Sequence, residues 1–345
     1  MDGFDLAVAL ATSLVIVLIL LTGFAYTTYL ERKVIARMQA RIGPNKAGPF
    51  GLLLPLADGL KLVFKENITP DGVERFPYFL APVLSLVVAI LAFAVIPLAD
   101  PVTVAWGGEA RVVRFQLIDV NVGLLYILGI TSLAVYGIVL AGWASNNKFA
   151  LLGGMRSSAQ MISYELAMSF SLLGVVLIAG SLSPAEIVAY QRFVPLVALQ
   201  PLGFLLYCVT AVAETNRAPF DMAEAEQELI AGYHVEYTGM RFAMFFMAEY
   251  INMITVSALA ATLFLGGYHL PFVERWTGDL PWFVDLAVIT AKVILGLVVF
   301  VWLRATLPRM RYDRLMDLGW KVLLPLALFN VVLTAVGIAL WQAWR

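Results

Sequence analysis

The chain has 345 residues, of which 61% are hydrophobic and 14% are charged, and its formal net charge is −1. Long apolar runs with few charges are typical of membrane proteins, and a net charge near zero gives no electrostatic reason to expect nucleic acid as a partner. One cysteine excludes an internal disulfide, and two distant histidines give no metal-ligand spacing. We therefore expect a membrane protein that binds no metal and carries no redox centre.

Eight runs of the sequence are apolar and long enough to cross ~30 Å of hydrocarbon. They predict an all-α polytopic membrane protein with eight transmembrane helices in a single membrane domain, residues 1–345. Two prolines weaken the fifth run. The runs lie at about 6–25, 78–98, 121–142, 161–180, 193–213, 242–265, 283–303 and 320–340.

The distribution of Lys and Arg predicts the orientation. Four segments between the runs, counted with Lys321 at the edge of the last one, hold 17 of the 23 basic residues, and the opposite loops and termini hold 5. By the positive-inside rule these four segments face the cytoplasm or matrix, and both termini face the outer side. The predicted inner loops are 29–77, 143–160, 214–241 and 304–319. On the outer side, two β-prone runs around Gly107 and Gly108 indicate a hairpin.

The first inner loop contains a segment that is too short to cross the membrane. Residues 52–65 place Asp58, Lys61 and Lys65 on one stripe of an otherwise apolar helix. Such an amphipathic helix lies in the interface, where it can cover the mouth of a lipophilic pocket. The basic residues around it also fit a plain role as positive-inside anchors, and both interpretations stay open.

The third inner loop concentrates acids. Residues 214–250 carry seven of the 24 acids in the chain. Asp221 with Glu224 forms a capping-box pattern, and Gly232 supplies a stop, so we expect a short helix over 222–231. Capping does not account for the other acids. Carboxylates held close together at a membrane surface have coupled titrations, which suits them to hold and pass protons.

Three ionisable residues fall inside predicted spans, namely Glu165, Glu249 and Lys292. Glu249 follows Arg241 by eight residues, which places it ~12 Å along a helix. An intramembrane acid is costly and points to function, with a structural salt bridge as the alternative; Lys292 is a candidate counter-charge. Residues 300–320 add four arginines, which fit either a headgroup-binding loop or a partner-docking loop.

These features fit two classes of protein. One is a proton-handling subunit that shapes a lipophilic site within a larger enzyme, and the other is a stand-alone ion-coupled transporter. The absence of a visible inverted repeat and the long inner loops disfavour the transporter.

Four blocks of the sequence resemble, in order along nearly the whole chain, the family of the membrane-embedded H subunit of respiratory complex I, the proton-pumping NADH:quinone oxidoreductase. The blocks are ERKVIARMQARIGPNKAGPFGLLLPLADGLKLVFKE, GGMRSSAQMISYELAMS, AETNRAPFDMAEAEQELIAGYHVEYTGMRFAMFFMAEY and LRATLPRMRYDRLMDLGWK. Related subunits occur in membrane-bound hydrogenases, but ARIGPNK and ETNRAPFD favour complex I.

The resemblance implies a subunit that helps form the quinone chamber and couples quinone reduction to proton translocation. It implies that the chamber's entrance and lining include Glu31, Arg32, Arg41 and Asp58. It implies a proton path through Tyr164, Glu165, Glu214, Asp221, Glu224, Glu226, Glu228, Glu236 and Glu249, with supporting charges at Arg217, Lys292 and Arg304.

The resemblance also implies cofactors, partners and location. Quinone, expected as ubiquinone, is the substrate, while FMN and iron–sulfur clusters belong only to partner subunits. The expected partners are cluster-bearing peripheral subunits at the quinone site, small and antiporter-like membrane subunits, and membrane lipids. The expected location is the bacterial plasma (inner) membrane, with the mitochondrial inner membrane left open.

Overall fold

The computed structural model describes residues 3–106, 109–222, 226–270 and 280–344, and the described side chains exclude those at 3–6, 104–106, 109–110 and 226–227. Helices dominate. They are α1 (Gly3–Met38), α2 (Leu54–Phe64), α3 (Arg75–Phe93), α4 (Gly123–Ala144), α5 (Lys148–Ala179), α6 (Pro184–Tyr190), α7 (Pro201–Glu214), α8 (Glu226–Leu229), α9 (Gly239–Phe264), α10 (Trp282–Thr306), α11 (Tyr312–Asp317) and α12 (Leu324–Trp344), with a π-helical turn, Leu318–Leu323, joining the last two.

Seven helices in the described part of the chain are long and apolar enough to cross a membrane. They are Ala7–Met38, Arg75–Phe93, Gly123–Ala144, Lys148–Ala179, Gly239–Phe264, Trp282–Thr306 and Tyr312–Trp344. The chain is therefore a mostly helical, polytopic membrane protein, as the composition predicts.

The fifth predicted span contains a shorter helix than expected. Helix α7 has 14 residues and a length of ~21 Å at the standard rise. It begins at Pro201 rather than near residue 193, because a proline fits the first helical position, where its missing N–H is not needed. The residues before it form a 3₁₀ turn, Leu196–Ala198.

Helix α9 is the most buried of the seven long apolar helices, and 67% of the residues in its most apolar 18-residue stretch are buried. It packs against α1, α3 and α10, while α5 packs against α4, α7 and α12. Helices α4 and α5 approach closely at Gly142, where a Cβ would lie 2.6 Å from the Ala150 carbonyl oxygen. The main core joins these helices and includes Tyr164, Tyr207 and Ile251.

The shorter predicted elements are found with different boundaries. Helix α2 occupies 54–64 of the predicted 52–65, and its described residues are all at least partly exposed. Since α2 ends at Phe64, Lys65 lies outside its polar stripe. The helix predicted over 222–231 is seen as α8, with 223–225 outside the described residues.

The hairpin predicted around Gly107 and Gly108 is confirmed. Strands β1 (Val102–Trp106) and β2 (Glu109–Val113) are antiparallel and place Val102 opposite Val113. The two glycines themselves lie outside the described residues.

Candidate functional site

Five side chains from four parts of the chain meet at the acidic-loop end of the bundle, the end that carries residues 214–241. Arg217 Nε lies 2.5 Å from Glu249 Oε1, and Arg217 Nη1 lies 3.7 Å from Glu31 Oε1. Glu31 accepts hydrogen bonds from the Tyr250 hydroxyl, at 2.6 Å, and from Arg304. The Arg217 guanidinium also lies 4.3 Å from the centre of the Tyr250 ring. We call these five residues the Arg217 cluster.

The Arg217 cluster balances its charges, and its two central side chains, Arg217 and Glu31, lie away from water. Glu31 is 5% exposed and Arg217 is 7% exposed. Burial disfavours the charged guanidinium, but the negative charges beside it, with Glu249 the strongest, outweigh burial and raise the pKa of Arg217 above its ordinary value. Two arginines face two carboxylates, so a change of charge nearby alters the balance of the whole group.

A small cavity adjoins the cluster. It has a volume of about 40 Å³, and its wall includes Glu214, Asn216 and Glu249. Glu214 is 8% exposed, and its Oε2 and the Oδ1 of Asn216 are buried and accept no hydrogen bond from the described residues. A water molecule needs roughly 10–15 Å³ of such space, so about three waters fit. The cavity can therefore hold a water bridge between the Glu214 and Glu249 carboxylates.

Glu165 extends the row of acids towards the contact between α4 and α5. It is partly buried and accepts a hydrogen bond from Ser132 on α4. Its carboxylate interacts electrostatically with that of Glu214. The neighbouring Tyr164 is fully buried, and its hydroxyl donates to the Leu315 carbonyl at 2.8 Å, which fixes α11 against α5.

A larger groove lies between α1, α2 and α9. Its volume is about 730 Å³, within the range of roughly 300–1,000 Å³ that small-molecule sites occupy. Most of its wall is apolar, with Leu18, Leu56 and Phe246 on its three helices. Arg32 and Asp58, whose charged atoms lie 2.9 Å apart, form a polar edge. The groove is suited to an elongated lipophilic molecule with a polar end.

The groove and the Arg217 cluster share a wall. Glu31 and Arg32 are consecutive on α1, and Arg32 lines the groove while Glu31 belongs to the cluster. Phe246 lines the groove one helical turn before Tyr250, and their ring centres are 6.5 Å apart. Phe24, also in the groove wall, meets the Tyr250 ring edge-on at 5.7 Å. A molecule in the groove thus lies one layer of side chains from the cluster.

Polar contacts tie the end of α2 to the start of α9. Asn67 Oδ1 accepts a hydrogen bond from Met240 N at 3.3 Å, and the Thr238 hydroxyl accepts one from Ile68 N at 3.0 Å. Both helices line the groove, so these contacts fix the distance between α2 and α9 at one end of it.

Other acids of the loop are held by separate partners. Asp221 accepts a hydrogen bond from Arg309 at 2.8 Å, and Glu228 pairs with Arg156 at 2.7 Å. Asp221 therefore joins two loops, and the capping box predicted for it with Glu224 lies outside the described residues. Glu228 is half exposed at the surface.

The remaining predicted residues lie apart from the cluster. Glu236 accepts a hydrogen bond from Asn147 at 2.8 Å, and Arg41 is exposed and donates to Gln39. The side chains of Glu224 and Glu226 lie outside the described residues.

Lys292 lies near the opposite end of α9 from the Arg217 cluster. Its ammonium donates to the carbonyl oxygens of Leu265, Gly267 and His269 at 2.7–2.8 Å. These groups follow the last turn of α9, where the negative end of the helix dipole stabilises a cation. The cation that meets Glu249 is Arg217 instead.

Sequence reasoning missed several polar residues of the site. Tyr250 and Ser132 contact predicted acids, Asn216 lines the small cavity, and Gln160 bonds to the loop that bears Arg217. Neutral polar side chains within or beside apolar spans are a signal, because they need a partner in a non-aqueous setting. Their partners depend on which helices pack together, which periodicity alone does not provide.

Comparisons with known proteins agree on one family. The sequence model of the family described as NADH dehydrogenase matches residues 11–335. The chain is 53% identical over 316 residues to the H subunit of NADH-quinone oxidoreductase from Protochlamydia amoebophila, covering 91% of this chain and 92% of that protein. It is 50% identical over 351 residues to the corresponding H subunit from Thermomicrobium roseum, covering 99% and 98%.

A third relative adds to the same result. The first of the numbered H subunits of NADH-quinone oxidoreductase from Geobacter metallireducens is 49% identical over 332 residues, covering 96% of this chain and 97% of that protein. Within the described residues, no group of three or more His, Cys, Asp or Glu is placed to hold a metal ion. Matches of this length and identity show that the chain belongs to the family of the H subunit of NADH-quinone oxidoreductase, a membrane subunit of the complex I oxidoreductase.

Proposed function

We propose that the groove between α1, α2 and α9 admits the quinone and that the Arg217 cluster responds to its reduction. The observation that carries the proposal is the shared wall: an apolar groove of about 730 Å³ borders a buried, charge-balanced cluster. The isoprenoid tail packs on the apolar wall, and the headgroup passes the polar edge formed by Arg32 and Asp58. Arg41, exposed beyond α1, belongs to the entrance.

Reduction of a quinone to a quinol consumes two electrons and two protons. The electrons come from iron–sulfur clusters of partner subunits, which receive them from a partner's FMN. Negative charge that develops on the headgroup competes with Glu31 and Glu249 for Arg217. A carboxylate that shares its arginine with another anion binds a proton more readily, so the redox state of the headgroup sets the protonation of the cluster.

The acids then provide a proton path. It runs from Glu249 across the small cavity to Glu214 and on to Glu165 beside Ser132, towards the small and antiporter-like membrane subunits. Support for the loops around the path comes from Asp221, Glu228, Glu236 and Tyr164, and Arg304 holds Glu31. Coupling over this distance is electrostatic and is strengthened by the low dielectric of the surroundings.

The topology that goes with this function has eight spans and both termini outside. In it α7 is the fifth span, lengthened by the turn before it. The four predicted inner loops contact one another, which supports their lying on one side. Glu74 N donates to the Ala144 carbonyl, and Met310 N donates to the Pro219 carbonyl, both at 3.1 Å. We assign the chain to the bacterial plasma membrane, with ubiquinone as the substrate.

The proposal is tested in the assembled, membrane-embedded complex. Glu249→Gln and Glu165→Gln should lower quinone-dependent NADH oxidation and proton pumping, because an amide cannot exchange a proton. NADH oxidation by an artificial acceptor, which bypasses the quinone, should stay at the wild-type rate. Glu186→Gln, on the exposed part of α6, is the matched control and should behave as wild type. Wild-type quinone activity and pumping in both test variants would exclude the proposal.

A further inference from the structure

We propose that Gln160 is a positioning residue for the proton path, because it fixes the loop that carries Glu214 and Arg217. Gln160 lies on α5 and is fully buried. Its Nε2 donates to the carbonyl oxygens of Ala213 and Phe220, each at 2.8 Å. These two carbonyls flank residues 214–219, so one side-chain amide closes the base of the loop. The inference rests on the function proposed above.

The orientation of this amide follows from chemistry. Both partners are backbone carbonyls, which only accept hydrogen bonds, so the NH₂ group of Gln160 must face them. The Oε1 atom is buried and accepts no hydrogen bond from the described residues. Among the described residues, Gln160 thus uses both of its donors on this loop and leaves its acceptor unpaired, an arrangement that calls for an explanation.

The loop that Gln160 closes is a tight turn, so its backbone conformation sets where the Glu214 and Arg217 side chains begin. Asn216 has a backbone φ of +50°, a left-handed conformation that non-glycine residues seldom adopt. Backbone bonds from Asn216 N to the Ala213 carbonyl and from Phe220 N to the Arg217 carbonyl complete the turn. If the base opens, the Arg217 guanidinium moves away from Glu249, to which it now lies at 2.5 Å.

The chain supplies a matched control at Gln191. This glutamine is also fully buried, and its Nε2 donates to two carbonyls, those of Thr262 and Ile187. It binds the far end of α9, because Thr262 follows Glu249 by ~20 Å of helix. Gln191 Oε1 also accepts hydrogen bonds from Leu196 N and Gly266 N. Gln191→Met therefore disturbs an equally buried site at least as much as Gln160→Met does, and only Gln160 lies at the proton path.

The experiment compares these two variants in the assembled complex purified from membranes. Artificial-acceptor activity scores assembly, and quinone-dependent kcat, the KM for quinone and proton pumping score function. We expect Gln160→Met to lower kcat about ten-fold or more with an unchanged KM, because small misplacements of catalytic groups cost that much or more. Gln191→Met should retain the wild-type kcat per assembled complex.

A third variant adds a readout that plain destabilisation does not move. In Gln160→Glu the new carboxyl donates a hydrogen bond only when protonated. Its activity relative to wild type should therefore rise as the pH is lowered, whereas that of Gln160→Met should not. If Gln160→Met fails to assemble, this pH dependence carries the test.

Each result decides the inference. Equal losses in Gln160→Met and Gln191→Met, a raised KM with unchanged kcat, or no pH-dependent recovery in Gln160→Glu would overturn it. Wild-type quinone activity and pumping in both Glu249→Gln and Glu165→Gln would instead overturn the proposed function. If those two variants lose activity while Gln160→Met keeps it, the positioning role of Gln160 is rejected and the proposed proton path is retained.

Discussion

The groove and the Arg217 cluster share a wall, yet they are built in opposite ways. The groove is lined by apolar side chains that reach solvent or lipid, such as Leu56 at 61% exposure, and its ion pair of Arg32 and Asp58 is 52% and 33% exposed. The cluster keeps Arg217 and Glu31 almost wholly buried. The groove would bind a ligand by burying apolar surface, and each of its side chains contributes a small part of that binding energy. In the cluster, by contrast, each member compensates a buried charge.

This difference predicts how variants divide between kinetic constants. A change in the groove weakens binding of the quinone and raises KM, while a change in the cluster disturbs groups that act during reduction and lowers kcat. Five substitutions at four residues test this division.

Arg217→Met should have the largest effect. It removes the guanidinium that lies 2.5 Å from the Glu249 carboxylate and leaves Glu31 to Arg304, and breaking a buried ion pair costs about 3–5 kcal/mol. We expect quinone-dependent activity to be lost in any complex that assembles, with a lower thermal unfolding temperature. Artificial-acceptor activity measures the assembled fraction.

Arg217→Lys separates the charge from its geometry. A lysine keeps the positive charge but lacks the planar fork that contacts both carboxylates and stacks on Tyr250. Compared with Arg217→Met, the Arg217→Lys variant should regain more of the wild-type thermal stability than of the wild-type kcat. Full activity in Arg217→Met would show that the cluster takes no part in turnover.

Tyr250→Phe should have the next largest effect. The ring stays in place, but Glu31 loses the hydroxyl that donates to it at 2.6 Å, and such a bond to a charged group contributes about 1.5–3 kcal/mol. We expect kcat to fall about ten-fold or more, with little change in KM for the quinone. A raised KM with normal kcat would place Tyr250 functionally in the groove instead of the cluster.

The sequence predicts the groove better than the cluster, for a physical reason. Helix α2 follows from local features, a short apolar segment with Asp58 and Lys61 on one stripe, and long apolar runs locate α1 and α9. Neighbouring helices then bring these walls together. Hydropathy predicts the ends of helices less well, since α7 begins at Pro201 although its apolar run begins near residue 193.

The cluster requires knowledge of partners that the sequence does not provide. Hydropathy marks Glu249 and Lys292 as unusual, but their contacts depend on how far along each helix they lie at the packing interfaces. Lys292 meets the carbonyls at the far end of α9, and Glu249 meets Arg217 from a loop. Charge alone therefore identifies candidate residues without pairing them.

Leu56→Ala should have a moderate effect confined to binding. Each methylene group that the bound tail covers contributes about 0.8 kcal/mol, so losing one or two such contacts should raise the KM for a long-tailed quinone about four- to fifteen-fold. The KM for a short-tailed analogue should rise less, and kcat should stay constant. Leu125→Ala on α4, with 60% exposure at a site away from the groove, is the control. Equal shifts in both variants would argue against the groove as the quinone route.

Asp58→Asn should have the smallest effect. It breaks the pair with Arg32 at 2.9 Å, and exposed pairs contribute about 0.2–1 kcal/mol, so the KM for quinone should change less than about five-fold. Because both charges are partly solvated, the difference from wild type should shrink as ionic strength rises. A titration of quinone at low and high salt checks both expectations. A large, salt-independent fall in kcat would mean that Asp58 behaves like a member of the cluster. The division between groove residues that set KM and cluster residues that set kcat would then not hold for Asp58.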